Sequence, residues 1–110
     1  DLRFKENILP LNNSLDKILN IQPVSFDWNK NGYPDMNFDP SRQIGLVAQE
    51  VEKQIPELVH TDINGYKAVA YDKLTAVLVE AVKEQQAQMR NQQKKIEILE
   101  LKLKELDEKN

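Results

Sequence analysis

A chain of 110 residues, 40% hydrophobic and 30% charged, fits one small folded domain with a modest core and a polar remainder. Its 18 acidic and 15 basic side chains leave a net charge of −3, which gives no basic field for a phosphate backbone and argues against nucleic-acid binding. With no cysteine there is no disulfide framework or thiolate metal site, and no apolar run approaches the roughly 18 residues of a membrane span.

Glycine and proline divide the chain. Pro10, Pro23, Gly32, Pro34, Pro40, Gly45, Pro56 and Gly65 all precede residue 66, and 66–110 contains neither type. These residues punctuate turns and break helices, so the pattern predicts an α+β protein. A turn-rich mixed head would occupy 1–71, and one long helix 72–110. In the head, NNSLDKILNI offers Asn13 or Ser14 as an N-cap, with Leu15, Ile18 and Leu19 on one face of a short helix that ends before Pro23. VSFDW alternates as a half-buried strand does and leads to Asn31-Gly32. In IGLVAQEVEKQIPELV the period changes. Ile44, Leu46 and Val47 suggest a strand end, and Val47, Val51 and Ile55 then recur at helical spacing until Pro56 stops them. LVHTDINGYKAVAY reads as a hairpin, with Asn64-Gly65 suited to the positive φ angles of a tight turn.

A helix over 72–109 would be about 57 Å long, more than the width of a small domain, and must leave the head. Placing Leu78 at heptad position d puts Val82 at a, Gln85 at d, Met89 at a, Gln92 at d, Ile96 at a, Leu99 at d, Leu103 at a and Leu106 at d. This seam predicts a coiled coil. Lys95 with Glu100 and Lys102 with Asp107 suit a parallel arrangement, although exposed pairs of this kind contribute only about 0.5 kcal/mol each. The heptads leave dimer and trimer open. Ile98 and Leu101 fall outside the seam.

Other motifs are weak. DWNKNG at 27–32 begins like a calcium loop, but its twelfth position is Phe38 and lacks the bidentate carboxylate. In DMNFDP, Pro40 stands where such a loop needs glycine. His60 is the only histidine, which argues against zinc and against a histidine triad and for a hairpin side chain. No metal or cofactor is expected. Lys5 in DLRFKENI could serve as a general base, since Ser-Lys pairs work without histidine, but no serine stands near it in sequence.

Taken together, DLRFKENI at 1–8, IGLVAQEVEKQIPELV at 44–59, YKAVAYDKL at 66–74 and LVEAVKEQQAQ at 78–88 resemble the C-terminal intramolecular chaperone domain of endosialidases and of phage tail spikes and fibres. The set is also similar to the self-cleaving domain of myelin regulatory factor and to domains ending large bacterial surface proteins. The resemblance implies a homotrimer that guides folding of a β-rich fibre or spike fused on its N-terminal side and then cuts itself off.

The family pattern Ser-Asp-x-Arg-x-Lys-Glu-Asn-Ile is matched here by Asp1, Arg3, Lys5, Glu6, Asn7 and Ile8. It implies a cut at or next to Asp1, a nucleophilic serine just before it, and Lys5 as the base. Gly45, Gln49 and Glu50 match family blocks as well. Gly45 would serve positive φ or close backbone approach, and Gln49 and Glu50 would hold polar groups near the N-terminal cluster. If phage-encoded, the precursor would lie in the host cytoplasm and its parent in the virion tail; otherwise the parent would sit at a bacterial surface. The competing reading is a coiled-coil cap that never cleaves. A stand-alone enzyme is the weakest of the three, for want of His, Cys and ligand clusters.

Overall fold

The computed structural model describes residues 1–109. A single-turn 3-10 helix at Leu2–Phe4 is followed by α1 (Ser14–Leu19), β1 (Val24–Phe26), β2 (Gln43–Gly45), α2 (Ala48–Gln54), β3 (Val59–Thr61), β4 (Lys67–Val69) and α3 (Tyr71–Lys109). The strands form two separate antiparallel pairs. Val24 faces Gly45 in the first, and Val59 faces Val69 in the second.

α1 has six residues, too few to hold a helix alone, and depends on tertiary support. Asn13 occupies its N-cap position but at φ 53°, and its side chain makes no capping bond. The Glu84 carboxylate on α3 takes over, accepting from the N–H groups of Ser14 at 3.0 Å and Leu15 at 3.3 Å. Leu15 is buried and Ile18 half-buried, but Leu19, expected on the same face, is exposed. The helix ends there and the chain turns through Asn20, so that Ile21 packs on the core in its place.

The β3–β4 turn also departs from expectation. Gly65 alone takes a left-handed φ, of 85°. Gly65 N–H donates to the Asp62 carbonyl at 3.0 Å, and the Asp62 carboxylate accepts from Asn64 and Tyr66 N–H at 2.8 and 2.9 Å. An aspartate side chain therefore does the work expected of a left-handed asparagine. His60 lies on β3, exposed.

The core is small. Val51, Ile55 and Leu58 from α2 and the turn after it meet Val77 of α3, and Ile18, Ile21, Leu46, Val59, Val69 and Leu74 pack around them. Ala81, one turn beyond Val77, is also buried. The stripe Leu74, Val77, Ala81, Glu84 follows i, i+3, i+7 spacing, so the first turns of α3 belong to the packing of the head. The helix then continues alone. The molecule measures 77 × 41 × 21 Å, with a radius of gyration of 22.0 Å, against about 13 Å for a compact chain of this length. Its accessible surface of 9606 Å² is about half again the roughly 6,300 Å² expected of a compact monomer of its mass.

Candidate functional site

The residues matching the N-terminal motif form a local cluster at the head's edge. The Asp1 carboxylate accepts from Arg3 N–H at 2.9 Å and from the guanidinium at 3.1 and 2.8 Å, so one acid both caps the 3-10 turn and holds Arg3 in a fork. Lys5 ends the turn in extended conformation, its N–H donating to the Leu2 carbonyl at 3.1 Å. Asn7 takes a left-handed φ of 54°, which asparagine tolerates better than most residues. Lys5 and Glu6 are exposed, and neither forms an ion pair among the described residues. A lysine general base works in a desolvated pocket, and the single chain provides no such cover.

Gly45 has a definite reason to be glycine, and it is the second of the two foreseen. Its φ is not left-handed; instead a Cβ would stand 3.0 Å from the Tyr71 hydroxyl and 3.4 Å from Phe26. That hydroxyl accepts the Leu46 N–H at 3.0 Å, tying the end of β2 to the first residue of α3. Gln49 and Glu50 are exposed on α2. Glu50 pairs with Lys53 at 3.3 Å, and among the described residues no hydrogen bond joins either side chain to residues 1–8. The local i, i+3 partner is simply nearer than the motif.

Along α3, Leu78, Val82, Met89, Ile96, Leu99, Leu103 and Leu106 are exposed, as are Gln85 and Gln92 between them. Successive residues turn by about 100°, so this stripe lies about a quarter-turn from the Leu74–Glu84 stripe already covered by the head. Ile98 and Leu101 are exposed as well, but at about 100° per residue they fall on the outer side of the helix, Leu101 nearly opposite the stripe. A helix that has used one face on its own domain and carries a second apolar face into water is arranged for helix-on-helix association.

Three tethers were not foreseen from the sequence. Arg42 donates to Ser25 Oγ at 2.7 Å and pairs with Asp27 at 2.9 Å, closing the long loop between β1 and β2. Lys67 joins β4 to α2 through Glu52 at 3.0 Å. Trp28 stacks on Phe38 with centroids 4.7 Å apart and meets Phe26 edge-on at 4.9 Å. Aromatic alternation in VSFDW hinted at the last of these; nothing local marked the others.

A family model described as chaperone of endosialidase matches residues 1–60, a stretch from the N-terminal motif through α2 to β3. No curated protein matches the chain.

Proposed function

The chain belongs to the endosialidase chaperone family, and from that premise we propose that it is a trimerisation chaperone for a β-rich fibre or spike segment fused before it, released by cleavage at or next to Asp1. The observation that carries this reading is the uncovered apolar stripe from Leu78 to Leu106 on a helix whose other face is already packed.

The physics of the passenger explains the division of labour. Fibre trimers are held by non-local contacts between chains, which offset the entropy of closure only after the chains meet in register. A coiled coil forms from local structure plus one association step, so it can set that register first. Three tethered passengers then see one another at roughly millimolar effective concentration. Cutting the chaperone away after the fibre has locked removes the route back and leaves a product with kinetic stability.

In this scheme the serine preceding Asp1 is the nucleophile and Lys5 its base. Assembly supplies the cover that Lys5 lacks in the single chain, which couples release to successful trimerisation. The exposure of Lys5 favours one alternative, a permanent coiled-coil cap. A precursor carrying the upstream serine separates them, wild type beside Lys5→Ala, resolved by size exclusion and then by gel. The expected result is trimers in both, cleaved only in the wild type, because no histidine stands by to replace the amine. Cleavage in the mutant removes Lys5 from the mechanism, cleavage in monomeric fractions removes the coupling, and an intact wild-type trimer leaves the permanent cap.

A further inference from the structure

The head carries a second uncovered apolar surface that the seam does not use. A groove of about 620 Å³ opens between the two strand pairs, with Phe26, Trp28, Ile44, Leu46, Val69 and Tyr71 among its lining. Ile44 on its rim is 85% exposed and Tyr71 is half exposed. Tyr71 stands seven residues before Leu78, at the same heptad position, so the groove is continuous with the seam.

Residues 1–9 form an apolar segment without a place of its own. Leu2 and Phe4 are 74% and 85% exposed, and Ile8 and Leu9 are exposed beside them. Among the described residues every hydrogen bond of residues 1–9 stays within that segment. Asp1 and Glu6 balance Arg3 and Lys5, so the arm is neutral and meets no repulsion on approach. At its base, Pro10, Leu11 and Asn12 line one pocket together with Lys73, Ala76 and Val77. At about 100° per residue, that side of α3 is roughly opposite the side on which Tyr71 stands. The arm thus leaves one side of α3 while the chain's own groove opens on the other. Nine residues reach at most about 30 Å when extended, enough to cross to an adjacent helix.

Building on the trimer reading above, we propose that the groove of each head receives the N-terminal arm of a neighbouring copy, with Phe4 and Leu2 as the inserted side chains. A contact that leaves one side of a protomer and enters the opposite side of the next is heterologous, and it closes when the copies are related by a rotation that forms a ring. The seam sets that ring, and the arms link its heads. The occupant is a segment of this same chain, brought to the right level because a parallel seam holds all heads side by side. Insertion of the arm also covers the backbone around Lys5, which lies next to Phe4.

Trp28 lines the groove and is the only tryptophan, so its fluorescence reads occupancy directly. Wild-type trimers should shield Trp28 from acrylamide and emit at shorter wavelength than the monomeric chain carrying Leu99→Ala and Leu103→Ala. Phe4→Ser, which removes no core contact, should keep the trimer mass in sedimentation while raising the quenching constant several-fold. Mixed trimers of Phe4→Ser chains with excess Trp28→Phe chains, which retain Phe4, should restore the shielding, because the intact arm comes from the neighbour. Wild-type quenching in Phe4→Ser trimers, or no rescue on mixing, overturns the proposal. Shielding seen only when the upstream polypeptide is attached also overturns it, since the passenger then fills the groove. A wild-type chain that sediments as a monomer breaks the trimer reading instead, and differs visibly from a trimer whose Trp28 is open.

Discussion

In the head, Val51 on α2 and Ile55 at its C-cap stand four residues apart and both are buried. In the distal part of α3, Leu99 and Leu103 stand four apart on a long helix and both are exposed. The spacing and chemistry are alike; what differs is chain reversal. Pro56 ends the helical period after Ile55, and the Asp62–Gly65 turn brings β4 back across the core. Among the described residues α3 runs unbroken to Lys109, and nothing in residues 1–70 covers its far half. One set of apolar contacts is therefore made within the chain at any dilution; in the proposed trimer the other forms only when chains meet, so that folding of the head would be first order and completion of the stem dependent on concentration.

The comparison breaks most readily at the stem. Leu99→Ala with Leu103→Ala should abolish assembly at micromolar concentration, at about 2–5 kcal/mol per truncated side chain repeated in every copy, while the head's circular dichroism persists; sedimentation equilibrium measures the first and thermal melts the second. Leu58→Ala, at the 2% exposed centre of the head core, should cost roughly 2–5 kcal/mol of head stability and leave the chains associated through the stem. Loss of both together would show that head and stem form one cooperative unit.

A smaller effect is expected at Glu84, whose replacement by Ala removes the carboxylate that caps α1. That should lower head stability by about 0.5–2 kcal/mol and raise hydrogen exchange at Ser14 and Leu15 before any other amides. The smallest effect belongs to Asp39. Hydrogen bonds from the Ser41 hydroxyl and N–H, opposed by slight desolvation, hold its carboxyl below the ordinary value of 3.8. A depressed carboxylate contributes stability above its unfolded value and loses it as pH falls through the folded one. Wild type and Asp39→Ala should therefore differ slightly in melting temperature near neutrality and converge in acid below 3.8. Melts across that range check the direction.

How far the sequence carries is visible in the same two regions. The long helix was legible because its rule is local: no glycine or proline breaks the chain after Gly65. The Val47–Val51–Ile55 helix and the β3–β4 hairpin were legible for the same reason, their signals lying within a few residues. Glu84 capping α1 was not, because donor and acceptor are 70 residues apart and a glutamate on a long helix looks like any solvated charge. The Tyr71 hydroxyl on Leu46 was hidden likewise, although Gly45 beside it hinted at close approach. Of the candidate site residues, Asp1 and Arg3 come together, Gln49 and Glu50 stay apart from them, and the face that Lys5 needs is not written within one chain.

Tyr71 opens a helix that runs without glycine or proline from the core of the head to Lys109. There is no universal joint between the two. Val77, seated in the head, and Leu78, seated on the stripe, are consecutive residues of one rigid screw. In the proposed trimer the angular setting of each head about the bundle axis is thus fixed by helix pitch, as a key fixes a wheel on a shaft. Inserting one residue between Glu84 and Met89 would rotate every head by about 100°, whereas inserting seven would lengthen the shaft and leave the wheels within about 20° of where they began.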